Sequence, residues 1–397
     1  MAGRILITHA STETAAELEE LLAAEGCEIF RANNLAAAGH LLHQHPDLLI
    51  LDTNLAETGT PEQLEMLAEQ LELAETFCLR LCSDATDFSR SRELTPFACG
   101  TISPPNTSDQ ILEQVKTLLR VKQAEAERNQ AQERLLLHQM EVEEGLRSAA
   151  QIQHALLPNQ LANTPALSFA WQFIPCETVG GDLFNVLPLS EETLMVYMLD
   201  VSGHGVPSAM VTVSVHQSLS ERTGQLVKHP LDQAPYYRIA TPSEVLSALD
   251  QEYPYERFEK FFTISYLLIE PETGRVCYSN GGHPPPLLVR NDGSLERLVA
   301  GGTLVGMGGV LPYEEEEIFL HTGDRLYLYS DGITEHEALS GEMFGEQRLI
   351  DFFSRKRHSS LDDAAKCFIQ ELLNFGEGSA PSDDISLLCI QFDGPIK

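Results

Sequence analysis

Several acids in the C-terminal half of the sequence stand at the ends of strand-like runs. Asp182 follows Gly180 and Gly181, Asp200 ends LMVYML and precedes VSGHG, and Asp331 ends RLYLYS and precedes Gly332. Asp383 and Asp384 immediately precede the run ISLLCIQF. A carboxylate at a strand end is carried on rigid backbone, and a neighbouring glycine lets an ion or a phosphate approach the main chain. No lysine or arginine lies within these motifs, so the carboxylates would repel one another if brought together bare. Hard divalent cations resolve that conflict, and an oxygen-only donor set suits Mg²⁺ or Mn²⁺ better than zinc. Two such ions about 3.5–4 Å apart can share a water, lower its pKa and neutralise a phosphate attacked in line, which is phosphomonoester hydrolysis. Any one Asp-Gly is equally well a turn; the recurrence at strand ends favours a site.

The elements that must position these acids begin near Leu167, where runs rich in β-formers are broken by glycine and proline: LMVYML, FFTISYLLI, RVCYSN, PPLLVR, RLYLYS and ISLLCIQF. EPETG, from Glu270 to Gly274, is a turn that should make a hairpin of FFTISYLLI and RVCYSN. Helical stretches are expected after Gly205 and around Leu361 to Asn374, giving a sheet-based core with helices packed on it. The polar segment from Glu221 to Thr241 lacks periodicity and reads as a mobile loop near the active face.

Residues 1–120 have a different pattern. Five strand-then-helix units, from RILIT through DLLILD to DQILEQVKTLLR, predict a doubly wound parallel sheet, because parallel strands need crossover helices. Residues 121–157 contain no proline and read as a helical linker. One heptad frame runs through Val121, Ala124, Arg128, Ala131, Leu135, His138, Val142, Gly145, Ala149, Ile152 and Leu156. All but Arg128, His138 and Gly145 are apolar, which suits a parallel coiled-coil homodimer; the alternative is a single helix packed on its own domain. Pro158 should end the helix, leaving 158–397 as the domain that carries the acids.

The 397 residues are too many for one ordinary core, in keeping with two domains and a connector. Lysine and arginine number 26 against 59 acids, a net charge of −33 that excludes nucleic acid and anionic membrane as partners. The eight cysteines are scattered, and the nearest pair, Cys78 and Cys82, has no second pair to complete a zinc site. No signal-peptide core follows MAGRILITHAS and no run is long enough to span a bilayer, so a cytoplasmic protein is expected.

The ordered set AAQIQHALLP (149–158), VGGDLFN (179–185), LDVSGHGVPSAM (199–210), NGGHPPPLL (280–288), YSDGITE (329–335) and SDDIS (382–386) resembles bacterial protein phosphatase 2C-like serine/threonine phosphatases of the sporulation stage II E type. The resemblance covers roughly Ala149 to Phe392. It implies an α/β/β/α sandwich and two Mn²⁺ or Mg²⁺ ions, with Asp200 bridging both, Asp331 and Asp383 completing one site, and Asp182 with the Val201 carbonyl serving the other. Asp182 and Asp200 would thus be the catalytic carboxylates, and Asp384 the alternative ligand in its pair. His204 is expected to shape its turn rather than act as a general acid, and His283 to bond to backbone. Asn185 stands where an acid is common and Ser386 where threonine is common, neither a ligand. The resemblance further implies a phosphorylated anti-sigma-factor antagonist as the protein substrate, in partner-switching control of transcription. The other readings of these residues are a scaffold without turnover and a hydrolase of small phosphorylated metabolites.

The first 120 residues resemble a response-regulator receiver with a flavodoxin-like sheet, and Asp52, ending DLLILD, sits where such domains accept phosphate. The acid pair expected after the first strand is replaced by Thr8, His9, Ala10 and Ser11, and the lysine expected after the fifth is missing around Ser103. Ser83 stands where a hydroxyl is expected after the fourth strand. Acyl phosphate formation loses its electrophilic help without those acids and that lysine. The expectation is a degenerate receiver that meets an upstream signalling protein by contact, with Asp52 as phosphoacceptor the alternative.

Overall fold

A computed structural model describes residues 3–9, 12–82, 98–102, 108–158, 164–220, 226–233, 236–309 and 311–395. Ser83 and Ser103 lie outside the described residues. The chain divides into two compact units, 1–139 and 140–397.

In the first unit, β1 (Arg4–Thr8), β2 (Glu28–Ala32), β3 (Leu48–Asp52), β4 (Phe77–Leu81) and β5 (Gly100–Ile102) form a parallel sheet in the order β2-β1-β3-β4-β5. This is the flavodoxin-like order. β3 is buried at every position because both faces of the sheet are covered. Helices α2 (Leu35–Leu42) and α4 (Pro61–Leu73) pack with Leu6, Leu49 and Leu51 on one face. On the other, α1 (Thr12–Ala24) and the start of α5 (Ser108–Leu156) cover Ile5, Ile7 and Ile50. Between them, α3 (Thr53–Thr58) starts on Asp52, whose carboxylate caps it by accepting from Asn54 N–H at 2.9 Å.

α5 is one helix of 49 residues that runs through the position where the helical linker was expected to begin and covers it as far as Leu156. No glycine or proline interrupts the sequence from Ser108 to Glu144, and Gly145 alone does not stop a helix supported on both sides. The division between the compact units falls inside the helix instead of at either of its ends. Val115 and Leu119 are buried, whereas Leu135, Leu136, Leu137, Met140 and Val142 are exposed in the single chain.

The second unit stacks two sheets. One has the order β15-β12-β11-β8-β7, with β16 also on β12; the other has the order β14-β13-β17-β18-β6. The first is built from β7 (Asp182–Pro188), β8 (Leu194–Val201), β11 (Phe262–Glu270), β12 (Arg275–Gly281), β15 (Gly301–Gly302) and β16 (Glu316–Phe319). The second uses β6 (Leu167–Ile174), β13 (Leu287–Val289), β14 (Leu295–Arg297), β17 (Arg325–Tyr329) and β18 (Ile385–Phe392). Alternation along the strands sends Val196, Met198, Leu326, Leu328, Leu388 and Ile390 into one shared core. α6 (Val206–Ser218) and α7 (Pro242–Glu252) cover the first sheet, while α10 (Gly345–Arg355) and α11 (Leu361–Phe375) cover the second. Two one-turn helices, α8 (Tyr255–Phe258) and α9 (Asp331–Thr334), complete an α/β/β/α sandwich.

Three local expectations meet the structure here. The EPETG turn does join β11 and β12 as an antiparallel hairpin. The segment read as a mobile loop contains a two-stranded ribbon, β9 (Lys228–Pro230) with β10 (Tyr237–Ile239), anchored by buried Val227 and Ala240; residues 221–225 and 234–235 lie outside the described residues. Among the described residues, no helix is long and apolar enough to cross a membrane.

Phe368 of α11 is fully buried among Phe344, Phe352 and Phe353 against the second sheet. Phe368→Ala is expected to destabilise this unit by about 3–5 kcal/mol. The single tryptophan, Trp171 of β6, reports this unit alone, so a urea titration followed by its fluorescence measures the shift.

Candidate active site

The acids arrive from both sheets. Asp182 opens β7 and lies across the ladder from Asp200, and Thr263 of β11 faces Asp200 from the other side. Asp331 begins α9 just beyond β17, and Asp383 lies just before β18; because β17 and β18 run antiparallel, the two acids meet at one end of that pair.

Glycine makes the close approach feasible. A Cβ on Gly181 would stand 2.6 Å from the Val201 carbonyl, and one on Gly332 would stand 2.3 Å from the Asp384 carbonyl. Both obstacles are backbone, so neither position accepts a side chain without moving a strand. At Gly180 the obstacle is the Asp384 carboxylate itself.

Hydrogen bonds then fix the framework. Asp384 is buried and accepts from Cys176 N–H at 2.9 Å and Asp182 N–H at 3.2 Å. Its carboxylate braces the loop that carries Asp182. Ser386 Oγ donates to Asp182 Oδ2 at 2.6 Å, so serine supplies the hydroxyl that threonine would. Thr212 Oγ1 of α6 donates to the Gly181 carbonyl at 2.6 Å. Ser330 Oγ donates to the Asp384 carbonyl at 2.9 Å and accepts from Ser386 N–H at 3.0 Å.

The last turns of α5 join this framework. The Gln153 side chain is buried and donates to the Gly180 carbonyl at 2.8 Å while accepting from Gly180 N–H at 3.1 Å. Asn185 Nδ2 donates to the Leu156 carbonyl at 3.0 Å. Thus the residue standing where an acid is common ties β7 to the helix end.

The two histidines serve the turns. His204 Nδ1 lies 2.8 Å from Glu177 Oε1, both side chains largely in solvent, so the pair links the turn after β8 to the loop before β7. His283 N–H donates to Asn280 Oδ1 at 2.7 Å, and its ring pairs through Nδ1 with Thr263 Oγ1 at 2.7 Å, with the Tyr329 main chain also beside it. Thr263 is within reach because it faces Asp200 at the end of β11. Burial pushes the His283 imidazole down to about 3 and keeps it neutral.

Burial and mutual repulsion push the acids upward. Asp182 is raised well above the ordinary carboxylate range, first by burial and then by Asp200 and Asp384. Asp200 rises to about 7 through burial and the charges of Asp331, Asp383 and Asp384. Asp331 and Asp383 are raised as well, each chiefly by burial. Asp331 Oδ1 is buried without a hydrogen-bond partner. Among the described residues no three His, Cys, Asp or Glu side chains stand as a finished coordination shell. The donors available are carboxylate and carbonyl oxygens with excess negative charge, the set that suits Mg²⁺ or Mn²⁺.

Sequence reasoning places all four of the acids in this region, and the structure brings them together. It missed the Gln153 clamp, although Gln153 lies inside a motif it singled out, because a glutamine on a helix has no signature of its partner. It also missed Lys260, whose Nζ donates to the Ser202 carbonyl at 2.8 Å beside the turn after β8. Only the β8–β11 pairing, which sets Phe262 against Val201, brings that lysine to the turn. Asp52 lies in the other unit, 2% exposed, with Oδ2 3.3 Å from His9 Nδ1.

Residues 190–393 match the family described as stage II sporulation protein E (SpoIIE). The chain belongs to this family. It is 25% identical to protein IcfG of Synechocystis sp. over 64% of this chain and 42% of that protein. Phosphoserine phosphatase RsbP of Bacillus subtilis is 27% identical over 52% of this chain and 47% of its own length. The chain therefore spans about half the length of these curated relatives. The SiaA-PP2C domain of Pseudomonas aeruginosa superposes with a TM-score of 0.53 at 20% identity, covering 64% of this chain and 99% of that domain. The protein phosphatase 2C-like fold is therefore shown for the C-terminal region.

A carboxyl with a raised folded pKa holds its proton more tightly in the folded chain than in the unfolded one. Its burial costs least at low pH, and stability falls as pH climbs from the unfolded value near 4 toward the folded one, about 7 for Asp200. Calorimetry of the metal-free protein should show Tm falling across that window, and Mn²⁺ should raise Tm more at pH 8 than at pH 5.5. A Mn²⁺ effect independent of pH would contradict the repulsion described.

Proposed function

We propose that this chain is a metal-dependent protein phosphatase that hydrolyses phosphoserine or phosphothreonine on a protein substrate. The observation that carries the reading is the convergence of Asp182, Asp200, Asp331 and Asp383, with raised pKa values and an unpartnered buried oxygen, in a protein phosphatase 2C-like fold. The printed name of the relative RsbP, a phosphoserine phosphatase, supports the substrate class.

The residues fit a pair of divalent cations. Asp200 stands to bridge the pair, Asp331 and Asp383 to hold one ion, and Asp182 with the Val201 carbonyl to hold the other. Two Mn²⁺ or Mg²⁺ ions bound there lower the pKa of a shared water and offset the charge of the phosphate oxygens. The chain's own part is positional. Asp384, Gln153 and Ser386 hold the Asp182 loop, and Thr212 and Ser208 tie α6 to the turns that carry Gly181 and Ser202.

The favoured substrate is a phosphorylated anti-sigma-factor antagonist in a bacterial partner-switching system, the substrate class implied by the sequence motifs. The first unit acts as a degenerate receiver. Its Asp52 already caps α3 and faces His9 where a metal-binding acid would stand, which favours control by protein contact over phosphorylation. α5 carries that control, pairing with a second copy through its exposed apolar positions to form a homodimer. Its last turns clamp the Asp182 loop, so a change in the helix has a direct route to a ligand. A cytoplasmic location follows from this role.

The test is Mn²⁺-dependent hydrolysis of p-nitrophenyl phosphate and of a phosphoserine peptide by the full chain. Asp200→Asn is expected to lower kcat by at least about a hundredfold while the protein stays folded. No turnover by folded, Mn²⁺-supplied wild type would favour the scaffold reading. Preference for sugar or nucleotide phosphates over the peptide would favour the metabolite reading.

A further inference from the structure

We propose that Lys260 binds the phosphoryl group of the substrate, an inference that rests on the phosphatase reading. The ammonium is half-buried and donates to the Ser202 carbonyl at 2.8 Å, two residues beyond Asp200. An ammonium carries three protons and no acceptor, so this bond leaves two to direct at another oxygen.

Its position is built, not incidental to a flexible side chain. Ser202 N–H donates to the Phe261 carbonyl at 2.9 Å, and Phe261 N–H donates to Ser202 Oγ at 3.2 Å. The backbone just after Lys260 is thereby locked onto the turn. On its other side Glu259 takes a left-handed conformation, φ 51, with its N–H donating to the Tyr255 carbonyl at 2.7 Å. That conformation is unfavourable for a residue with a side chain, and it sets the chain direction into Lys260. The turn also leaves room: a Cβ on Gly203 would meet Lys260 Nζ at 3.0 Å.

Charge supplies the reason. The protein carries −33 overall, and four acids converge at the strand ends beside this turn. A phosphoryl dianion approaching such a surface needs fixed positive charge at the mouth as well as cations among the carboxylates. Lys260, on the segment leading into β11, is held against the strand-end turn that follows Asp200. Held through the Ser202 carbonyl, it is placed to meet phosphate oxygens rather than to replace a metal ligand.

The experiment compares wild type, Lys260→Gln, Lys260→Met and Lys260→Arg as full chains loaded with Mn²⁺. Calorimetric titration with inorganic phosphate measures binding directly, Mn²⁺ titration measures the metal site, and p-nitrophenyl phosphate kinetics separate KM from kcat. Lys260→Met and Lys260→Gln are expected to weaken phosphate binding and raise KM about tenfold or more, with Mn²⁺ affinity changed less than about threefold. Lys260→Arg should restore most of the phosphate affinity. Gln keeps a donor for the Ser202 carbonyl, so a merely structural lysine would be rescued by it; wild-type phosphate affinity in Lys260→Gln overturns the proposal, as does unchanged affinity in Lys260→Met. If wild type binds Mn²⁺ and phosphate but turns nothing over, the phosphatase reading fails while the phosphate site is still decided by the titrations.

Discussion

Crowding of like charge is the constraint on which the second unit depends. Asp182 and Asp200 face each other across a β ladder with Asp384 alongside, and burial removes the water that would screen them. Left alone, such a cluster destabilises the fold that contains it, so the surrounding framework must hold the acids against their own repulsion. The framework does so with neutral donors. Ser386 donates to Asp182, main-chain N–H groups of Cys176 and Asp182 donate to Asp384, and Ser330, between β17 and Asp331, ties that strand end to Asp384 and β18. The aromatic core around Phe352, Phe353 and Phe368 supplies stability that offsets this cost.

The division of labour between Asp383 and Asp384 shows how adjacent identical residues part company. Just before β18, the Asp383 carboxylate lies near Asp331 and Asp200, while that of Asp384 turns to the backbone of the Asp182 loop. Glycine does the complementary work at 180, 181 and 332, where a side chain would strike Asp384 or strand backbone. The same loop is gripped by Gln153 at the end of a 49-residue helix.

Much of this was legible before any coordinates. The acids next to strand ends, the EPETG hairpin and the N-terminal strand–helix alternation are local patterns, and each follows from the period of its own segment. Two helices went unread although their signals are present: Thr241 and Glu244 form a capping box ahead of α7, and Leu349, Phe352 and Phe353 follow helical spacing in α10. Both are only 11 residues long and sit between strands, where short apolar runs are ambiguous. What no local pattern contains is long-range pairing. The register of β18 on β6, Ile385 against Ile174, brings Asp384 to Cys176 across more than half the chain, and the β11–β8 register brings Lys260 to the turn after Asp200. The change in composition read as a boundary at residue 120 falls inside a helix that runs from Ser108 to Leu156.

The central claim is that the four carboxylates exist to share cations, and anomalous diffraction at the manganese edge from crystals of the full chain grown with Mn²⁺ tests it most directly. The account predicts two adjacent peaks, one touching Asp331 and Asp383, the other Asp182 and the Val201 carbonyl, with Asp200 reaching both and Asp384 still on its backbone amides. Crystals with Mn²⁺ in excess but no peak among these acids, or manganese held by Asp384 in place of Asp383, would contradict it.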